Sequence, residues 1–155
     1  MSVKETVIKQ YQAVVNRAAA GFLPAASLPP EGWIVTVRKA LGMSGAQLAK
    51  RLGVTRARIS QAERAEAEGG VTLKTMHAMA EAMGCRFAYA IVPEGRIEDV
   101  IAAQAHKKAQ ALVGKASSHM ALESQSLSEA QNAEEVERIA RDLLRTMPAN
   151  LWADK

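Results

Sequence analysis

The sequence predicts a mainly α-helical protein that contains a helix-turn-helix bundle, one β-strand and a helical C-terminal tail. Residues 43–63 carry the start signals of two short helices, with a glycine between them. Residues 85–92 alternate with the period of a strand. Most of the remaining chain has apolar residues at helical spacing. These three observations together favour a small helical DNA-binding fold with an added tail.

The two helices within residues 43–63 each begin with a recognisable cap. Ser44 is an N-cap residue, and Gln47, three positions later, completes a capping box. Thr55 is the predicted N-cap of the second helix, with Val54 before it as half of a hydrophobic staple. Gly53 stands between the helices, where a sharp turn needs a residue without a Cβ. This is the layout of a helix-turn-helix.

Composition and spacing divide the chain into five segments. The first is an amphipathic helix in which Val7, Tyr11, Val14 and Ala18 form the apolar stripe. A connector with three prolines and two glycines follows. Because the tail has few aromatic residues, we expect it to pack on another chain. The predicted segments are an N-terminal helix (1–20), a connector (21–32), a helix-turn-helix domain (33–84), a strand (85–93) and a helical dimerisation or partner-binding region (94–155).

The predicted strand has an apolar face made of Cys85, Phe87, Tyr89 and Ile91, and Pro93 ends it. A single strand is not stable by itself. Its partner would be the same strand of a second subunit, which makes a homodimer, or another molecule that adds to its edge.

Charge and cysteine content limit the class of protein. The 155-residue chain has a net charge of +4, and residues 1–92 hold 12 Lys and Arg against 6 Asp and Glu. A basic front half suits nucleic-acid binding, although ordinary solvated charge explains it equally well. There is a single cysteine, no long apolar run and no signal-peptide pattern. We therefore expect a cytoplasmic protein without a membrane segment.

The second helix of the motif is the candidate reader of DNA sequence. Ile59 and Ala62 face the core by spacing, which leaves four neighbours on the outer face. Arginine suits guanine, glutamine suits adenine, and alanine can contact a thymine methyl group. The predicted base contacts are Arg56, Ala57, Ser60 and Gln61. The predicted phosphate contacts are Lys39, Gln47, Lys50, Arg51, Thr55, Arg58 and Arg64.

The sequence gives no sign of catalysis or of a cofactor. His77, His106 and His119 lack the spacing of metal ligands, and Cys85 lies in an apolar segment. No phosphate-binding loop or nucleophile motif is present. We therefore expect a protein that is not an enzyme and needs no metal.

LGMSGAQLAKRLGVTRARISQAE resembles the helix-turn-helix of lambda-repressor-like, XRE-type regulators. It departs from them at Gly45, where many members carry a glutamine that contacts DNA. Over nearly the whole chain, the segments PPEGWI, EAEGGVTLKTM, AMGCRFAYAIVP, HMALESQ and LLRTMPANLW resemble the family called mobile mystery protein A. That resemblance implies a small bacterial regulator from a mobile element, often encoded beside a protein with a Fic domain.

Two functions follow as hypotheses. The first is a dimeric, sequence-specific transcriptional regulator that binds double-stranded DNA and represses its own operon, as antitoxins do. The second is an antitoxin whose main task is to bind and restrain a Fic-domain partner that transfers AMP to proteins. The acidic balance of residues 93–155, with 10 Asp and Glu against 8 Lys and Arg, favours a protein-binding tail.

Overall fold

The computed structural model describes residues 1–22, 28–123 and 127–153. Part of the predicted connector, residues 23–27, lies outside the described residues. The prediction of a mainly α protein is confirmed. The seven helices of the described chain are α1 (Val3–Gly21), α2 (Trp33–Ala40), α3 (Gly45–Leu52), α4 (Arg56–Glu68), α5 (Leu73–Ala82), α6 (Ile97–Leu122) and α7 (Glu129–Thr146).

The chain forms two compact units. The central unit contains α2 to α5 and ends at Ala90. The terminal unit combines α1 with the part of the chain from Ile91 onward, and so joins the two ends of the sequence around an inserted segment.

The central unit has one apolar core to which all four of its helices contribute. Three methionines at helical spacing, from α5 and the residue that ends it, belong to this core: Met76, Met79 and Met83. Leu73, the first residue of α5, is 49% exposed and does not join this core. The buried cluster is Ile34, Leu48, Ala49, Ile59, Ala62, Met76, Met79 and Met83.

The helix starts of the central unit are those that the sequence predicts. Ser44 and Gln47 form a complete capping box at α3, and the Thr55 hydroxyl accepts a hydrogen bond from the N–H of Arg58 at α4. Thr72 caps α5 in the same way. Gly53 ends α3 in the left-handed conformation, with φ of 68°, which lets the chain turn directly into α4.

A carboxylate from α4 caps α2, which has no capping side chain of its own. Glu66 accepts hydrogen bonds from the N–H groups of Trp33 (2.6 Å) and Ile34 (2.8 Å). Gly32 precedes them with φ of 90°, and a Cβ there would meet the Glu66 carboxylate at 2.8 Å. The position therefore requires glycine for both its dihedral angle and its space.

The predicted strand over residues 85–92 is wrong, since no strand forms in the described chain. Gly84 ends α5 with φ of 74°, and the following residues make no ladder hydrogen bonds. A strand exists only through pairing with another backbone, and the chain supplies none here. Phe87 instead packs against the core and stacks on Tyr89, with ring centroids 5.6 Å apart.

The terminal unit is built on an antiparallel pair of helices, α6 and α7. Asn132 contacts Ser117 near one end of the pair, and His106 lies 3.2 Å from Glu137 farther along it. Small side chains allow a close approach, so these helices bury a cluster against each other, where we had expected an outside chain. That cluster is Ala109, Val113, Val136 and Ala140.

Helix α1 packs on α6, but with a different face from the one predicted. Tyr11 and Val14 of the predicted stripe are 71% and 60% exposed. Asn16 sets the orientation, because its amide donates to Glu98 at 2.9 Å and accepts from the N–H of Ile97 at 3.0 Å. The hydrogen bond from the Asn16 amide to the Glu98 carboxylate lowers the pKa of Glu98 below its usual 4.5. A polar contact between distant residues thus overrides the apolar stripe.

Candidate DNA-binding surface

Helix α4 is held in the central unit by its buried side and presents its predicted reading residues to solvent. Ile59 and Ala62 are almost fully buried. The four predicted base-contact residues are all exposed, and their side chains make no hydrogen bond or ion pair within the described chain: Arg56, Ala57, Ser60 and Gln61. They lie at positions one, two, five and six of the helix, which places them on one side of its first two turns.

Arg56 lies at the point where α4 meets the start of α3. Its Nε atom is 4.0 Å from the position that a Cβ would occupy on Gly45. Because Gly45 has no side chain, the guanidinium has open space beside the first turn of α3. The departure from the XRE-type pattern at this position therefore changes the surroundings of Arg56.

The stretch of sequence that forms α3 and the start of α4 is basic and contains no acid. Residues 43–62 contain Lys50, Arg51, Arg56 and Arg58 and no aspartate or glutamate. The first acid that follows, Glu63, is used internally. It pairs with Arg38 at 2.8 Å, with both side chains only about 15% exposed. The net charge of the helix pair is therefore available to a polyanion.

The predicted phosphate-contact residues differ in how free they are. Lys50, Arg58 and Arg64 have exposed side chains with no partner in the described chain. Lys39 forms an exposed ion pair with Glu31 at 3.0 Å, which is weak and easily exchanged.

The remaining phosphate candidates keep donors free while serving the fold. Arg51 donates its Nε to the Ala82 carbonyl at 2.6 Å, which leaves its terminal nitrogens free. Gln47 uses its carbonyl oxygen in the capping box and keeps its amide protons. The Thr55 hydroxyl accepts from a backbone N–H and retains its own proton as a donor. Gln47, Lys50 and Arg51 also line one shallow concavity at the turn before α3.

Sequence reasoning missed the polar ties that hold this surface in place. Arg38 donates to both Glu63 and the Met43 carbonyl (3.0 Å), so it joins α2, the turn before α3 and α4. Glu66 joins α4 to α2. No local pattern marks the contacts of Arg38 with Glu63 and of Glu66 with Trp33, because the two members of each pair are 25 and 33 residues apart.

The residues assigned to the pairing strand lie mostly on the surface. Cys85 and Tyr89 are exposed, Ile91 is 94% exposed, and Phe87 is half-buried. In the described ranges, no cluster of three or more His, Cys, Asp or Glu could hold a metal ion. Over those same ranges, none of the helices is both long and apolar enough to cross a membrane.

Comparison with known proteins agrees with this geometry. Residues 34–89, a little over a third of the chain, match the family model described as helix-turn-helix. The match contains almost all of α2 to α5 and the whole of the candidate surface. The central unit therefore contains a helix-turn-helix domain. Neither a search of curated proteins nor one of solved structures gave a match.

Proposed function

We propose that this protein is a dimeric, sequence-specific repressor of its own operon, with an antitoxin-like role. The single observation that carries the proposal is the basic stretch over residues 43–62, which forms α3 and the first half of α4, contains no aspartate or glutamate and exposes its outward side chains. In this proposal α4 enters the major groove of operator DNA. Such a role places the protein in the cytoplasm.

The proposed base readers are the four exposed residues at the start of α4. Arg56 would donate two hydrogen bonds to the O6 and N7 atoms of a guanine, and Gln61 would pair with an adenine. Ala57 would contact a thymine methyl group, while the Ser60 hydroxyl would accept or donate. Since α4 is fixed by its buried side, these side chains would reach the bases from a rigid support.

The proposed phosphate contacts surround those readers. The N–H groups at the starts of α3 and α4 are partly used by Ser44 and Thr55, but the helix dipoles still favour an anion there. Lys50 and Arg58 have no competing partner in the described chain and would form the strongest contacts. The full proposed set is Lys39, Gln47, Lys50, Arg51, Thr55, Arg58 and Arg64.

The first test is the affinity of the protein for the DNA upstream of its own gene, measured by fluorescence anisotropy against scrambled DNA at ~150 mM salt. A preference of about a thousandfold is expected of a specific binder. Arg56→Ala should weaken specific binding by about 1–3 kcal/mol, and Arg58→Ala should reduce the salt dependence by about one phosphate contact. Lys74→Ala, an exposed change on α5, is the matched control. Wild-type affinity in the Arg56 variant would contradict the reading role of α4.

The dimer is proposed from the exposed apolar residues that follow α5. Ile91 is 94% exposed and Tyr89 is 59% exposed, and their backbone makes no strand pairing within the chain. Packing of this segment against its copy would remove both side chains from water. The dimer would set two α4 helices about one turn of DNA, ~10 bp, or a multiple of it apart. Light scattering should give a dimer that Ile91→Glu dissociates and that Val3→Glu, an exposed change in α1, does not.

The alternative is an antitoxin that restrains a Fic-domain protein. Beside the resemblance described above, the acidic surface of α7 favours it, because Glu129 and Glu134 are exposed and have no partner in the described chain. Co-purification with the Fic protein encoded beside it is the test. A Glu129→Lys, Glu134→Lys double variant should lose the partner, whereas Arg56→Ala should keep it. If the double variant also keeps the partner, this surface of α7 is excluded as the binding site.

A further inference from the structure

The central unit contains a half-open cavity of about 260 Å³ between α2, α5 and the residues after α5. None of its lining residues belongs to the proposed DNA-binding surface. The lining is apolar except for one charged side chain and a thiol. Its main members are Trp33, Val37, Met76, Met79, Arg86 and Phe87.

The size and lining of the cavity suit a small apolar molecule. An apolar cavity of ~150 Å³ stays dry and accepts benzene, so 260 Å³ leaves room for about ten non-hydrogen atoms. The methionine side chains from α5 are flexible and adapt to the shape of an occupant.

Arg86 gives the cavity a charge preference. Arg86 is an exposed residue of the cavity lining, and its side chain has no hydrogen bond or ion pair within the residues that the structure describes. A carboxylate would satisfy it with two parallel hydrogen bonds. The cavity therefore combines an apolar interior with one unpaired cation.

We infer that this cavity binds a small anionic amphiphile, with an apolar body of about seven carbons inside and a carboxylate on Arg86. The occupant would contact Met76 and Met79, which belong to the same buried cluster as Leu48 of α3 and Ile59 of α4. Binding would therefore alter the packing beneath the DNA-reading helix. This regulatory consequence rests on the proposed function, whereas the binding itself does not.

The binding test uses the full chain without DNA and the fluorescence of Trp33. Trp152, the second tryptophan, belongs to the terminal unit and is replaced by phenylalanine to isolate the signal. Octanoate and heptylammonium, which carry the same heptyl chain and differ in the sign of the head group, are the two probes. We expect saturable binding of octanoate at least ten times tighter than of the cation. Arg86→Glu should reverse this order.

A second variant tests the location. Ala88 is exposed and lines the cavity, so Ala88→Phe should occupy the space and weaken both probes at least tenfold. Circular dichroism checks that each variant keeps its helices. Absence of a saturable response to octanoate, equal affinity for the two probes, an unchanged order in Arg86→Glu or unchanged affinity in Ala88→Phe would each overturn the inference. Operator binding is measured separately, so its failure would bear on the proposed function alone.

Discussion

The central and terminal units are both helical, but they are held together in different ways. The central unit packs isoleucine, leucine and methionine from four short helices, and three of these helices, α3 to α5, are capped by neighbouring residues. The terminal unit packs alanine and valine between two long helices, and polar side chains from distant residues attach its ends. The difference shows that local signals describe a fold well only where its contacts are also local.

The terminal unit depends on side chains that reach across the sequence. Lys4 of α1 donates to the carbonyl of Met147 at 3.0 Å, although 143 residues separate them. Gln104 donates to the carbonyl of Leu151 at 2.9 Å, and Lys108 donates to that of Asn150. These bonds hold the segment after α7, in which Leu151 is almost completely buried. The two ends of the chain thus become parts of one unit.

The largest expected difference in stability between the two units should follow from the loss of a core side chain of the central unit. Leu48 is fully buried. Leu48→Ala should lower the free energy of unfolding of this unit by about 2–5 kcal/mol. Hydrogen exchange read by mass spectrometry should show lost protection in α2 to α5 and retained protection in α6 and α7. Leu112→Ala, at a half-exposed position of α6, is the control, and equal loss in both units would contradict the division.

A smaller effect should follow from removal of the cross-helix cap on α2. Glu66→Ala deprives the N–H groups of Trp33 and Ile34 of their acceptor, which should cost about 1–2 kcal/mol, as for other N-caps. Chemical denaturation followed by tryptophan fluorescence measures it. Glu68→Ala, an exposed neighbour in the last turn of α4, should change stability little. If both variants lose the same amount, the cap does not contribute.

Asn16→Ala tests the attachment of α1 to α6 in the terminal unit. Loss of the acceptor for the Ile97 N–H should cost about 1 kcal/mol at neutral pH. Because the same amide lowers the pKa of Glu98, its contribution is present above pH 4.5 and is lost as the pH falls through the lowered value. Urea unfolding at pH 7 and below pH 4.5 should therefore show a smaller difference from wild type at the acidic pH. A constant difference would exclude the Glu98 contact as a contributor.

The smallest expected effect is a gain of stability at the end of α7. Met147 is the single non-glycine residue with positive φ in the described chain, at 44°. Met147→Gly should remove this strain and raise the free energy of unfolding by about 0.5–1 kcal/mol. Thermal unfolding measures it, and Arg145→Gly, inside the helix, should instead destabilise. A loss at position 147 would mean that the methionine side chain contributes more than its backbone costs.

Sequence reasoning located the helix-turn-helix and its start signals because a cap and its partner are three residues apart. The capping box of Ser44 forms as predicted, and Ser128 forms the same arrangement at the start of α7. It failed for residues 85–92, since alternation describes a face and not the neighbour that a strand requires. It also chose the wrong face of α1, because Asn16 and Glu98 are 82 residues apart. The positions of the predicted base contacts could be inferred from the buried side of α4. The residues to which Arg51 and Lys39 bind within the fold could not be inferred from the sequence.

The sequence by itself determined the caps of α3 to α5, the turn at Gly53 and the acid-free stretch over residues 43–62, because each depends on residues within one or two helical turns or on composition alone. The tertiary structure decided which faces are buried in α1, how the two ends of the chain join, and which of Arg38, Arg51 and Lys39 serve the fold. It also decided that a cavity remains beside Arg86. Those outcomes depend on distances between residues far apart in the chain, which only the packing of the whole unit sets.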